Sequence, residues 1–280
     1  MSINTVVIKQ EQLTKSFFSS GSGHEKILVM GSCRVVNIVN YLDQWNRENG
    51  NRFTIYSLDP FNFNWNSKEE RVDYDEAIIG CEDDNYLLDM IRNVDIFIHE
   101  YYNNAGMFNV NKDDNKNIYQ FGMAPKRDIC IPNFNDVFIL FGDIVSFDID
   151  IRKQAIQDYN VIGKLSPQLQ QQIYDKGQKN LLKFYDICDK TSLPEFKNYF
   201  QKNIIKERLF WSYNHTARKF TTGLFEMMNE KYLDLDLSKG YYPDHIDIFA
   251  NNHTLLTEYD KAWYHFEWDE NVIPLKNKLF

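Results

Sequence analysis

Ile27-Leu28-Val29-Met30-Gly31-Ser32-Cys33-Arg34 is the stretch from which the fold can be read. Four unbroken apolar residues, β-prone and too few for a helix, predict a strand buried on both faces, as in the interior of a parallel sheet. Gly31-Ser32 ends it. From Cys33 onward Val35, Val39, Leu42 and Trp45, with Val36 and Ile38 beside them, recur at three- and four-residue steps, which predicts an amphipathic helix ending near Gly50. Working outward, Phe53 to Leu58 reads as a second strand, Tyr86, Leu87, Met90 and Ile91 as a helix face, and Val94 to Ile98 as a third strand. Strand, helix, strand, helix, strand is the alternation of an α/β fold.

Residues 101–120, rich in Asn, Asp and Lys directly after a strand, predict a long loop near the site face. Asp128 to Phe147 holds two apolar clusters separated by Pro132-Asn133, and a short strand or extended segment is expected on each side. Ser166-Pro167 and Ser192-Leu193-Pro194-Glu195 are helix starts, the second with capping-box spacing, so a helical stretch over about 167–203, broken near Thr191, is expected. Arg208 to Ser212 reads as extended and Thr216 to Tyr232 as a helix with Phe220, Leu224, Met227 and Met228 inward. The tail from Tyr241 to Phe280 reads as aromatic and irregular. With no internal repeat and no long linker, the expected organisation is a lead-in over 1–25 and one α/β domain over 26–280, with a helical insertion around 151–205.

The 280 residues carry 31 Lys+Arg against 40 Asp+Glu, a net charge of -9 that disfavours nucleic acid and anionic membranes as partners. A local basic site for a small anion remains compatible with it. No run approaches the ~18 uninterrupted apolar residues of a membrane helix, and Met1 to Gln12 lacks the basic-then-apolar order of a secretory signal. The four Cys, at 33, 81, 130 and 188, have no CxxC pairing or His-rich companion run. Neither a metal site nor a disulfide framework is expected, and a cytoplasmic location is.

Three segments carry chemistry. In open α/β sheets the site lies at the carboxyl ends of the strands, where the Gly31-to-Arg34 turn falls. A thiol at a helix N-terminus, with Arg34 beside it, favours thiolate, although Cys33 also suits a small buried residue in a tight turn. The segment lacks the glycines of a dinucleotide fingerprint and the Lys of a P-loop. The second segment, Arg208 to Arg218, sets Asn214-His215 between two arginines and an aromatic cluster, offering an imidazole base, an amide donor and two anion ligands. A helix-capping Asn or Thr with a surface His is the plainer alternative. The third, Phe97 to Tyr102, puts His99 and Glu100 on the same rim as Cys33 if the sheet is parallel, and a structural role suits them equally.

Taken together, four pieces resemble the WcbI-like polysaccharide biosynthesis acetyltransferases, a family distantly similar to the SGNH hydrolases. They are Val29 to Arg34, where the family has Gly-Asn-Cys-Gln, Asp95 to Glu100, Ile131 to Phe134, and Arg208 to His215, and they span roughly 26–232. Ser32, Arg34 and Thr216 stand where the family commonly has Asn, Gln and Pro. The resemblance implies an SGNH/Rossmann-like three-layer sandwich with a mostly parallel sheet and additional helices. It also implies an enzyme that uses acetyl-CoA, with coenzyme A as acyl carrier and a sugar or glycan as acceptor. Catalytic residues are then Cys33, His215, Asn214 and the rival base His99. Ser32, Arg34, Arg208, Tyr213 and Arg218 are expected to bind the cofactor. Cys33 either attacks the thioester or lines the oxyanion site while the acceptor attacks directly.

Two other readings use the same residues. An SGNH-like esterase or deacetylase would need an Asp-x-x-His near the C-terminus, and Asp244-His245 and His253 fall in that region without matching it. A glycan-binding module would use Tyr241, Tyr242, Trp263, Tyr264, Phe266 and Trp268, although such clusters also form cores and homo-oligomer interfaces.

Overall fold

The computed structural model describes residues 17–31, 33–58, 63–66, 71–74, 93–101, 125–243, 254–268 and 271–280. In chain order the strands are β1 (Phe17–Ser20), β2 (Glu25–Met30), β3 (Phe53–Leu58), β4 (Phe63–Asn66), β5 (Arg71–Tyr74), β6 (Ile96–Glu100), β7 (Arg127–Ile131), β8 (Phe210–Ser212) and β9 (His215–Thr216). The helices are α1 (Val36–Glu48), α2 (Phe141–Phe147), α3 (Ile149–Ile162), α4 (Pro167–Asp189), α5 (Phe196–Asn203), α6 (Arg218–Met228), α7 (Glu258–Tyr264) and α8 (Lys276–Leu279). Among the described residues no helix is long and apolar enough to cross a membrane. The chain divides into two compact units. The first is 1–133 with 190–194 and 224–248, and the second 134–189 with 195–223 and 249–280.

A five-stranded sheet in the order β1-β3-β2-β6-β7 organises the first unit. Only β1 runs antiparallel to its neighbour; β3, β2, β6 and β7 are mutually parallel. This is the mostly parallel α/β sheet expected, with Ile27 to Met30 at its centre and under 2% exposed because neighbours cover both faces. Asn46 joins α1 to β3: its side chain accepts from the Phe53 amide at 2.8 Å and donates to the Phe53 carbonyl at 2.9 Å. Gly21 crosses the same corner at φ 77, where a Cβ would lie 2.4 Å from the Phe53 oxygen.

The third strand begins at Ile96 rather than Val94, since the Asp95 carboxylate accepts from the Lys26 amide at 2.8 Å while pairing with β7 carries the strand to Glu100. The helix face at 86–91 and the loop over 102–120 lie outside the described residues. Ser192 does not cap α5. Its hydroxyl accepts from the Cys130 amide at 2.9 Å and its own amide donates to the Cys130 carbonyl at 2.8 Å, which covers the edge of β7.

The second unit is helical and aromatic. Phe134 sits within 6 Å of the Phe184, Phe200, Phe210 and Phe220 ring centroids, and all five are buried. The extended segment expected after Pro132-Asn133 ends in a helix instead. The Asp260 carboxylate accepts from the Phe141 amide at 2.8 Å and so starts α2 from a distant part of the chain. α4 begins at Pro167 as its start signal implied, and the break near Thr191 separates it from α5. The tail is more regular than expected, because Thr257 and Asp260 form a capping box that opens α7.

Candidate functional site

In the first unit the β2 strand gives way, past Gly31, to a 3-10 turn over Cys33–Val35 that runs into α1. The Cys33 backbone thus lies at the carboxyl end of the central strand, one residue beyond Ser32, which is outside the described residues. Gly31 is needed there: a Cβ would meet Val35 at 2.4 Å and the Glu100 side chain at 3.1 Å. Arg34 turns to Glu100 in a buried two-pronged ion pair, Nε to Oε1 at 2.8 Å and Nη2 to Oε2 at 3.1 Å. The arginine expected to meet phosphate therefore already neutralises a carboxylate on the neighbouring strand.

His99 lies on the other face of β6 from Glu100 and is fully buried. Its Nδ1 donates to the Glu100 carbonyl at 3.2 Å and its Nε2 meets Asp128 Oδ1 at 3.1 Å. Both partners accept, so both ring nitrogens carry protons and the imidazole is a cation. Burial alone would lower its pKa, but the neighbouring Cys130 and Asp128 side chains outweigh it and raise the pKa to about 10. A doubly protonated, buried ring is a poor proton acceptor, which weakens the case for His99 as the base.

The second unit holds Arg208, Tyr213, Asn214, His215 and Arg218. Tyr213-Asn214 form the turn between β8 and β9, which pairs Ser212 with His215. The Ser212 hydroxyl donates to Asn214 Oδ1 at 3.0 Å and lies 3.3 Å from His215 Nδ1. A hydroxyl has one proton, so both contacts are satisfied when His215 Nδ1–H donates to the Ser212 oxygen. The basic lone pair is then on Nε2. With Asn214 Oδ1 turned to Ser212, its amide nitrogen, the donor end, points away from that hydroxyl.

Tyr213 stacks on Phe138 at 4.7 Å and meets Phe147 at 4.5 Å. These two rings, with Ile144, Ile149 and the Asp148–Lys176 ion pair, line a cavity of about 450 Å³. The Arg208 guanidinium lies over Trp211 at 4.9 Å and Trp268 at 5.2 Å. Arg218 opens α6. Sequence reasoning missed Asp143, whose Oδ1 accepts from the Thr254 hydroxyl at 2.8 Å while its buried Oδ2 has no hydrogen-bond partner. Burial, opposed by the Thr254 hydrogen bond, raises its pKa to about 6.

Of the aromatic tail, Phe266 and Trp268 stack on each other at 4.3 Å and are buried, so they serve the core and are not available to a sugar ring. Asp244, His245 and His253 lie outside the described residues.

No family model matches the chain, and no curated protein does. Among solved structures, that of WcbI aligns over 88% of this chain and 81% of its own, at 12% identity and a TM-score of 0.52. The two are similar in fold. WcbI is described as a novel polysaccharide biosynthesis enzyme, and this structure of it as the native protein without a disulfide bond between coenzyme A and a cysteine.

Proposed function

We propose that the chain is an acyl-CoA-dependent transferase that moves an acetyl group to a hydroxyl or amino group of a sugar in glycan biosynthesis, as a distant member of the WcbI-like family. The observation that carries the reading is the strand-turn-helix that sets Cys33 at the carboxyl end of the central parallel strand. The likeness in fold to WcbI, whose description names coenzyme A, supports it. The same reading keeps one functional domain built on a three-layer sandwich, extended from 26–280 to take in β1, which lies in the expected lead-in and pairs with β3.

Coenzyme A would supply the acetyl group as a thioester. The residues fit it unevenly. An aromatic-walled cavity beside Tyr213 suits an apolar arm, and Arg218 at a helix start suits a phosphate. Arg208, stacked on two indoles, is a second cation of this unit. Arg34, committed to Glu100, would contribute by shaping the Cys33 turn. In the transfer itself, His215 Nε2 takes the proton of the acceptor hydroxyl or amine. The Asn214 amide donates to the oxygen that gains charge, an interaction worth on the order of 3 kcal/mol in acyl transfer.

Calorimetric titration with coenzyme A tests the reading, and an absence of binding at millimolar ligand overturns it. In a transfer assay, Cys33→Ala is expected to lower the rate at least ~100-fold with the fold intact. His215→Ala is expected to lower it by ~10²–10⁴ and to remove the acidic limb of the pH profile. A normal rate in either variant moves the site elsewhere.

A further inference from the structure

The geometry points to a second nucleophilic thiol: Cys130, with His99 and Asp128, forms a Cys–His–Asp site able to take an acyl group from a thioester. Cys130 and His99 face each other in register across the parallel pair β6 and β7, and Asp128 stands two residues before Cys130 on the same face of β7. The thiol is free and half-buried, the imidazole is fully buried, and the carboxylate is solvent-exposed. Cys130 is thus partly open to solvent while the ring of its register partner is shielded. The Asp128 carboxylate and the Glu100 carbonyl hold the ring from its two nitrogens, at 3.1 and 3.2 Å. Phe97 stacks on it at 4.7 Å.

Such a ring is fixed in orientation on the face of the sheet that Cys130 shares. The groups facing it across the neighbouring strands are Asp128 and Cys130 on one side and the uncharged Met30 on the other. A cation fixed beside a sulfur favours its attack on an electrophile. Ser192 holds the Cys130 backbone on its outer edge, so the thiol has a defined position as well. The rival reading of a Cys–His–Asp cluster is a metal site, and among the described residues no group of three such side chains is arranged to hold an ion.

In the reaction the Cys130 sulfur forms a bond to the thioester carbonyl carbon, the bond from that carbon to the donor sulfur breaks, and the electron pair leaves with the donor thiolate. The imidazolium keeps its proton throughout, so His99 acts as a positioning residue and not as a base. The inference takes its thioester substrate class from the proposed acyl transfer, but its test uses no coenzyme A.

The experiment is iodoacetamide labelling of the full chain at pH 7, read at each cysteine by peptide mass. Cys130 is expected to react at least tenfold faster in the folded protein than in the same protein unfolded in denaturant, whereas buried Cys188 reacts more slowly folded than unfolded. His99→Gln is expected to abolish the excess and to steepen the dependence of the rate on pH to that of an ordinary thiol. Asp128→Asn, which keeps an oxygen able to accept from the His99 ring but not the charge, is expected to reduce the excess at least threefold. An acetyl thioester of N-acetylcysteamine should then leave acetyl on the Cys130 peptide, removable by hydroxylamine. Labelling no faster folded than unfolded, or unchanged in both variants, overturns the site. Rapid labelling without acetylation overturns the substrate class. A chain that acetylates Cys130 but does not bind coenzyme A refutes the proposed function and leaves this site standing.

Discussion

Asp143 couples the second unit to pH. Its carboxyl is raised to about 6 from an ordinary 3.8, first because it is desolvated, so between these values the folded protein binds a proton that the unfolded chain has lost. Stability contributed by the neutral acid is complete below about pH 4 and is lost as pH rises to about 6, on the order of 3 kcal/mol for one such group. Thermal melts of the unaltered protein and of Asp143→Asn should therefore diverge over that window, with the variant gaining relative stability toward neutral pH; parallel curves would show an ordinary carboxylate. None of this was legible at the level of residues, because Asp143 meets Thr254 across 111 positions. His99 was legible as a rim residue of β6, but its charge state was not, since Asp128 and Cys130 become its neighbours only through strand register. His215 was legible as a base from Asn214-His215 alone, whereas its tautomer depends on the Ser212 hydroxyl, three residues earlier, which carries no motif of its own.

Asp148 does for α3 what local sequence can do for an element. Its carboxylate accepts from the Asp150 and Ile151 amides, both at 3.0 Å, and pairs with Lys176 of α4. The Ile151 amide first, then Lys176, holds its pKa below the usual carboxylate value, so this stabilisation is present at neutral pH and is lost in acid as the group protonates. Asp148→Ala should cost ~1–2 kcal/mol in urea unfolding at pH 7, and Asp148→Asn, which keeps the capping oxygen, distinctly less. Equal losses would assign the effect to Lys176. Elements with their signals inside themselves were legible in this way: the apolar run of β2, the three- and four-residue steps of α1, and the Pro167 start of α4. Thr257-Glu258-Tyr259-Asp260 carried a capping signature inside the aromatic tail, where the density of rings suggests irregular chain. α2 could not be read locally, because the carboxylate that caps it belongs to Asp260, and Ser192 had a capping signature that the Cys130 edge claims instead.

Across the whole molecule, the 15% aromatic content has a structural account in the five-phenylalanine cluster around Phe134 and the Phe266–Trp268 stack. Removing one such buried ring typically costs ~3–5 kcal/mol. Charge is the property that bears on function at this scale. A net charge of -9 repels a polyanionic ligand at long range, whereas an arginine in contact with a phosphate attracts it within a few ångströms. Added salt acts on the two oppositely. It screens the diffuse repulsion beyond a Debye length of ~10 Å at 0.1 M, which would strengthen binding, and it competes with direct ion pairs, which weakens it. Arg208 and Arg218 lie within one unit and are the cations through which contact would be made. Contact should dominate, so the Kd for coenzyme A should rise several-fold between 50 and 500 mM salt, and Arg218→Gln should flatten that dependence as it weakens binding. A Kd that falls with salt would mean that the phosphates sit away from the arginines and that the body of the acidic chain sets the affinity.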